Sequence, residues 1–278
     1  MSIIYKDENK LNNPPSLNSL KIPNKSPSIV ADWVINETQL KAAQKLRYKI
    51  FKKEFGANMH GGYDKDTLDK YCEHLVIKDT HNHKLIGTYR ILTPVKAREY
   101  GSLYAESEFK ITGLDELRPR MIELGRACID KEYRNGPVIM LLWAEIAKFM
   151  LLNNYDYLIG CSSVSVRDVG YNAANIYKYL QNHKPYKEIE GIYPFNPLPV
   201  EHLMNNDTVN IPPLLNGYLR LGANVIGKPA WDPEFQTADF LTILKLDQMP
   251  SRYKSHFLKS TATSEFSLEI HREKTFFE

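Results

Sequence analysis

The chain has 278 residues, 43% of them hydrophobic, and a formal net charge of +3. That is enough apolar material for a core and too little charge to argue for a nucleic-acid partner. The longest unbroken apolar run of its most hydrophobic segment, Val138 to Ala144, stops at Glu145, short of the about 20 residues a bilayer span needs.

The N-terminal stretch MSIIYKDENKLNNPPSLNSL has neither the apolar core nor the small-residue cleavage site of a secretory signal. Residues 1–28, rich in Asn, Pro, Ser and Lys, read as a disordered arm. Residues 260–278 read as a flexible tail in which Phe276-Phe277 can dock, and residues 29–259 as a single domain with no internal repeat or long linker. A strand at Ile29 to Ile35 leads through Asn36 to the helix TQLKAAQKLRYKIFKKEF. Leu40, Ala43, Leu46, Ile50 and Phe51 give it an apolar face, and Lys41, Lys45, Lys49 and Lys52 run down another side. Through His60 there are ten Lys or Arg against five Asp or Glu. The lysine stripe is therefore either a solvated face or a docking surface for an acidic partner or an anionic membrane.

A Gly-rich acidic loop, NMHGGYDKDTLDKY, precedes two strands, EHLVIKD and KLIGTYRIL, and Phe109 to Leu117 reads as a short helix or turn. The strand MIELGRACI follows, then a helix opening at Gly136-Pro137, where proline suits the first turn, and a second strand around Ile159. Strand, helix and strand of this length make a parallel crossover, which places the chain in the mixed α/β or α+β class. A helix near Val169 to Gln181, an irregular aromatic stretch, and a final strand DFLTILKL closing the sheet complete the pattern.

Strict alternation in the Met121 strand puts Met121, Glu123, Gly125 and Ala127 on one face, and Ile122, Leu124, Arg126 and Cys128 on the other. Glu123 is then a carboxylate among small and apolar groups. Burial raises its pKa and suits it to take a proton from an attacking amine, directly or through a water. The competing reading is a structural glutamate paired to an arginine, which for Arg126 requires a bulge. His74 has no second metal-type ligand at useful spacing, and Cys72, Cys128 and Cys161 have none either; they fit reduced, buried residues of a cytoplasmic protein, with no metal expected.

Four stretches, LRYKIF, the acidic loop with EHLVIKD, GTYRIL, and ELGRACIDKEYRNG, together with PPLLNGYLRLGA and FQTADFLTIL, carry a resemblance over about Trp33 to Phe257. In order and spacing they resemble the Gcn5-related N-acyltransferase fold, a central mixed twisted sheet flanked by helices. The chain is similar to its ornithine lipid N-acyltransferase branch, sometimes labelled hemolysin-like, with the acyl-homoserine-lactone synthases as relatives. The resemblance implies that Arg47, Phe51, Asp66, Asp69, Arg90 and Arg126 shape the amine and donor sites around a basic Glu123. Arg90 or Arg126 then holds the acceptor carboxylate, and Asp66 or Asp69 an ornithine ammonium. Ser162 and Ser163 can donate to the pantetheine or thioester, or simply cap a strand end. Tyr171, Tyr177 and Tyr179 are open candidates for the acid that protonates the leaving thiolate.

Acetyl-coenzyme A enzymes of this fold cradle a pyrophosphate on a glycine-rich turn opening the helix. Here Arg134 is kept, but Pro137 and Ile139 stand where glycines would, and proline has no N–H to give. The resemblance therefore implies an acyl carrier protein as donor partner, with coenzyme A less favoured and no bound cofactor. Lys41, Lys45, Lys49, Lys52 and Arg134 would dock that acidic carrier. The expected reaction is transfer of a long-chain acyl group to the α-amine of an amino acid, ornithine above others. It would run in the cytoplasm, with peripheral association at the inner face of the membrane. The alternatives are a signal-type or N-acyl amino acid synthase, a coenzyme-A-dependent N-acyltransferase, and a membrane-active lipid binder. The missing export signal and the Glu123/Arg126 pair argue against the last.

Overall fold

Asn36 marks the handover from the first strand to the first helix: its Oδ1 accepts from Gln39 N at 3.0 Å, and Gln39 Oε1 accepts in return from Ile35 N at 2.8 Å. Reciprocal capping of this kind satisfies donors that a helix N-terminus leaves over. The protein is described here by a computed structural model covering residues 29–55, 61–134, 136–183, 185–205 and 207–259. The arm expected at 1–28, the tail at 260–278 with Phe276-Phe277, and Asn58 to His60 of the Gly-rich loop lie outside the described residues.

In chain order the elements are β1 (Ile29–Trp33), α1 (Glu37–Phe55), β2 (Glu73–Asp79), β3 (Leu85–Leu92), α2 (Pro94–Tyr100), β4 (Phe109–Ile111), β5 (Met121–Ile129), α3 (Pro137–Leu152), β6 (Tyr157–Ser165), α4 (Tyr171–Gln181), β7 (Tyr186–Lys187), β8 (Ile192–Pro194), α5 (Val200–Leu203), α6 (Pro213–Arg220), β9 (Asn224–Ile226), β10 (Ala230–Asp232), β11 (Thr237–Lys245) and α7 (Ser251–Lys259). The main sheet runs β1–β2–β3–β5–β6–β11–β9–β7, with β10 beside β11, and β4 pairs separately with β8. Pairing is antiparallel except for β5 with β6 and β7 with β9. Two expectations are corrected. Phe109 to Ile111 is a strand rather than a helix, because it finds an edge partner in β8, and the last strand, β11, lies inside the sheet between β6 and β9.

Apolar alternation distributes the core to both faces. Leu75, Ile77, Ile91, Ile122 and Leu124 pack with Leu142, Trp143, Ile146 and Met150 of α3. On the opposite face Leu92, Met121, Ile159 and Leu241 meet Leu68, Leu103 and Phe109. The buried face of α1 is less apolar than its spacing predicts: Gln44 and Arg47 are buried beside Ala43, Leu46, Ile50 and Phe51.

Two irregularities shape the middle of the sheet. Strands β5 and β6 pair only from Met121↔Tyr157 to Glu123↔Ile159, although both continue, so they part into an open gap. Beyond that point their facing backbone groups are not taken up by each other. The second irregularity is a bulge, in which Thr88 faces Cys128 and Arg90 faces Gly125, so Arg126 and Ala127 together oppose Tyr89. Arg126 adopts φ 52° there. This conformation costs a non-glycine residue on the order of 1–2 kcal/mol and re-aims its side chain. The alternation read from sequence breaks at this position, and Arg126 and Cys128 turn to the face of Glu123 and α1 instead of the opposite one.

Gly160 sits where the gap opens, and a Cβ there would meet the Leu124 carbonyl oxygen at 2.6 Å. Because the atom it meets is a backbone oxygen, Gly160→Ala should lower unfolding free energy by about 1–3 kcal/mol. Urea denaturation reads this, with an unchanged midpoint as the contrary result.

Candidate active site

The acidic loop between α1 and β2 folds onto the sheet through buried ion pairs. Arg47 of α1 donates from Nε to Asp64 Oδ2 at 2.7 Å and from Nη2 to Asp69 Oδ2 at 2.7 Å. Arg90 Nη1 of β3 donates to both oxygens of Asp66, at 2.7 and 2.8 Å, and to Asp69 Oδ1 at 2.9 Å. Asp69 also accepts from Gln44 Nε2 at 2.8 Å and from Arg47 at its Oδ1, at 3.0 Å. Burial would push its carboxyl up, but Arg47 and Arg90 overcome this and hold it at about 2. A carboxylate has about four acceptor positions, and those of Asp69 are filled. This corrects the expectation that Asp69 can offer an anion to a ligand. Asp66 is also engaged, capping the turn Thr67–Tyr71 through Leu68 N and Asp69 N while binding Arg90. His74 Nε2 meets the Asp69 carbonyl at 2.9 Å, the hydrogen-bonding core role its sequence context predicts.

Arg126 is the less committed member of this group. Its Nη2 reaches Asp66 at 3.3 Å, and its Nε lies 3.4 Å from Asp64 but makes no hydrogen bond. The guanidinium lies between the rings of Tyr104 and Phe235, 5.3 and 5.1 Å from their centroids. It faces a cavity of about 530 Å³ that passes through the gap between β5 and β6. On one side of the sheet the cavity is charged, with Arg90, Arg126, Asp232 and Asp239. On the other it is largely apolar, with Leu124, Ile139, Leu142, Trp143 and Leu214. Polar atoms interrupt that apolar wall at Tyr89 and Tyr218, whose hydroxyls bond each other, and at the Trp143 indole N–H, which has no hydrogen-bond partner. Phe51 and Arg134 line the entrance.

Glu123 is 4% exposed and accepts from Tyr104 N at 2.6 Å and Ala105 N at 2.7 Å. Burial pushes it up to about 7, against those two donors and Arg90. It stands behind the Tyr104–Ala105 backbone rather than in the cavity wall, so the cavity reaches it only through a bridging water or a movement of that backbone. Two further carboxyls escaped the sequence reading. Asp239 lines the cavity opposite Ser163, and Glu108 lies against it. Asp239 shares one face of β11 with Leu241 and Ile243, the same signal of an acid in an apolar strand that singled out Glu123. Glu108 carries no comparable signal. Among the described residues, Glu108, Cys161 and Asp239 also bring potential metal-ligand atoms within 4.8 Å of one another.

The remaining candidates separate. Ser163 lines the cavity, while Ser162 is fully buried on the other face with an unpartnered hydroxyl. Tyr171 is exposed, Tyr177 bonds Tyr186, and Tyr179 stacks on His183; none of the three lines the cavity. Lys41, Lys45, Lys49 and Lys52 are exposed along α1, loosely engaged by Glu37, the Tyr63 ring, Asp130 and Tyr48. Arg134 pairs with Glu54 beside the start of α3. Pro137 opens that helix with Gly136 as its cap and no side-chain cap, and the proline removes one of the first-turn N–H groups that a pyrophosphate would use.

A family model described as an acetyltransferase (GNAT) domain matches residues 46–144. The L-ornithine N(alpha)-acyltransferase of Agrobacterium fabrum is 32% identical over 241 residues, which cover 80% of this chain and 82% of that protein. The enzyme of the same name from Rhizobium meliloti is 30% identical over 79% of this chain and 80% of its own. Among solved structures, the AHL synthase LasI aligns with TM-score 0.44 at 14% identity, covering 78% of this chain and 90% of its own. The N-acyl amino acid synthase FeeM aligns with TM-score 0.48 at 13% identity, covering 80% and 95%. With about a third of its residues identical along four fifths of its length, the chain belongs to the L-ornithine N(alpha)-acyltransferase family, an α+β branch of the GNAT fold.

Proposed function

We propose that the protein acylates the α-amine of ornithine with a long-chain acyl group carried as a thioester on acyl carrier protein. The observation that carries this reading is the cavity running through the sheet at the β5/β6 gap, apolar on one side and charged on the other. A pantetheine arm fits the gap, its acyl chain lies against α3 and α6, and the amino acid occupies the charged side. Arg126, with an unused Nε and only long contacts, suits the acceptor carboxylate. The neutral amine attacks the thioester carbon, the C–N bond forms and the C–S bond breaks. The amine proton passes through a water to Glu123, and the thiolate leaves and takes a proton from solvent. Backbone N–H groups at the parted edges of β5 and β6 are placed to stabilise the tetrahedral oxyanion. The direct test is incubation with long-chain acyl carrier protein and a panel of amino acids. Mass spectrometry should find acyl-ornithine as the main product, and the absence of any acylated amino acid defeats the reading.

The donor assignment rests on Pro137 and Ile139 at the helix start and on the exposed lysines of α1. No helix among the described residues is long and apolar enough to cross a membrane; a peripheral encounter with the bilayer suits release of a single-chain lipid product.

A base acts in its deprotonated form, so Glu123, which burial pushes up to about 7, should add about a tenfold fall in kcat/KM per pH unit below that point to the fall that protonation of the acceptor amine imposes. Glu123→Gln should remove that limb and lower turnover by about 100-fold; a folded variant with normal turnover excludes the role. At equal chain length and subsaturating donor, the carrier-protein thioester should react at least about tenfold faster than the coenzyme A thioester. Lys45→Glu with Lys49→Glu should raise KM for the carrier and flatten its salt dependence. Equal rates from both donors, or an unchanged salt response, return the stripe to a solvated face.

A further inference from the structure

One carboxyl of the cavity wall, Asp239, and a second that lies against it, Glu108, take no part in the chemistry above. Asp239 is 3% exposed and stands opposite Ser163, beyond the Ile159 position where β6 parts from β5. Its Oδ1 accepts from the Thr237 hydroxyl at 3.1 Å, its carboxyl also bonds Ser163 and Glu108, and Glu108, which bonds Tyr104 as well, keeps an Oε2 that is buried and has no hydrogen-bond partner. Their other neighbours are Tyr104, Ser163, Asp232 and Cys161, all neutral or acidic. Among the described residues neither carboxyl has an ion pair, while the nearby arginines are turned to Asp64, Asp66 and Asp69. Buried carboxyls without a cation keep a proton or take a ligand. Burial and the adjoining acids push Glu108 up to about 9 and raise Asp239 with it, so the empty pair holds a proton at neutral pH. The charged half of the cavity thus has a cationic wall at Arg126 and an acidic wall at Asp239, which becomes anionic when its pair gives up the proton. That is the complement of an amino acid with a carboxylate at one end and an ammonium at the other.

We propose that Asp239, backed by Glu108, binds the side-chain ammonium of the acceptor and lets the protein select a diamino acid over a neutral one of the same length. The proposal rests on the acceptor reading above and adds the residues that enforce it. Binding exchanges the proton held by the pair for the ammonium: the proton leaves to solvent and no covalent bond changes. It also reassigns the anion that the sequence placed at Asp66 or Asp69, both occupied by arginines. A metal ion is the other occupant these ligand atoms admit. It would have to strip the Cys161 thiol, which burial and the same carboxylates push well above its ordinary range.

The test compares ornithine with norvaline, which has the same carbon chain without the second amine, using one acyl donor throughout. Wild-type protein should favour ornithine in kcat/KM by at least about 100-fold. Asp239→Asn should shrink that ratio to about fivefold or less, mainly through KM for ornithine, and Glu108→Gln should shift it the same way. A mutation-free arm measures binding heats of wild-type protein near pH 8 in two buffers of different ionisation enthalpy. Ornithine should release about one proton more than norvaline, and this arm decides the matter if neither variant folds. Equal use of both amino acids by wild type, an unchanged ratio in folded Asp239→Asn, or equal proton release overturns the subsite while leaving acyl transfer standing. Acylation of neither amino acid overturns the acceptor reading and the subsite together. Stoichiometric metal in purified wild type that is lost in Asp239→Asn also overturns it, in favour of a metal site.

Discussion

The cluster of Arg47, Arg90 and Arg126 with Asp64, Asp66 and Asp69 is the interaction on which the rest of the site depends. Its members come from α1, β3, β5 and the loop after α1, so closing it fixes the helix and the loop onto one face of the sheet. Three cations and three anions cancel, which makes burial tolerable; removing one leaves its partner stranded at a cost of about 3–5 kcal/mol. Asp69 is the hinge of this balance, because two arginines and Gln44 converge on it. The loop held this way leads into β2, and Arg126, held loosely at the cluster's edge, forms part of the cavity wall.

The bulge in β5 links that cluster to the cavity. Without the extra residue opposite Tyr89, strict alternation would place Arg126 among the apolar groups under α3, an uncompensated charge in a core. With it, Arg126 joins the acidic loop and projects between Tyr104 and Phe235. The local backbone strain is carried at the cavity wall. The parting of β5 from β6 after Glu123 lies in the same part of the strand, just before the bulge.

Much of this was legible in the sequence because periodicity survives folding. Strands β2, β3 and β5, helices α1 and α3 and the parallel crossover fall where apolar spacing and Gly136-Pro137 put them. What escaped depends on partners far away in the chain. A bulge is a property of register between two strands, so the face of Arg126 could not be read from β5 alone. Phe109 to Ile111 becomes a strand only because Ile192 to Pro194 lies beside it. Asp64 sat unremarked in the acidic loop that supplied Asp66 and Asp69, since spacing does not say which acids will meet an arginine. Asp239 was legible in principle, by the argument applied to Glu123, but pairing with Ser163 is what places it in a cavity.

A cavity that crosses a sheet also separates two solvation problems that acyl transfer to a charged amino acid sets together. A long acyl chain is stabilised by apolar burial, worth about 0.8 kcal/mol per methylene, whereas a zwitterionic acceptor loses hydration it must regain from fixed charges. The proposed placement, with the acyl chain against Leu142 and Leu214 and the amino acid against Arg126 and Asp239, would let each wall serve one of these needs. The strands themselves keep the two environments apart, and only the gap after Glu123 and Ile159 joins them. In the proposed reaction the reacting carbonyl is the one part of either substrate that needs both environments, and it would lie at the gap, where β5 and β6 no longer pair with each other.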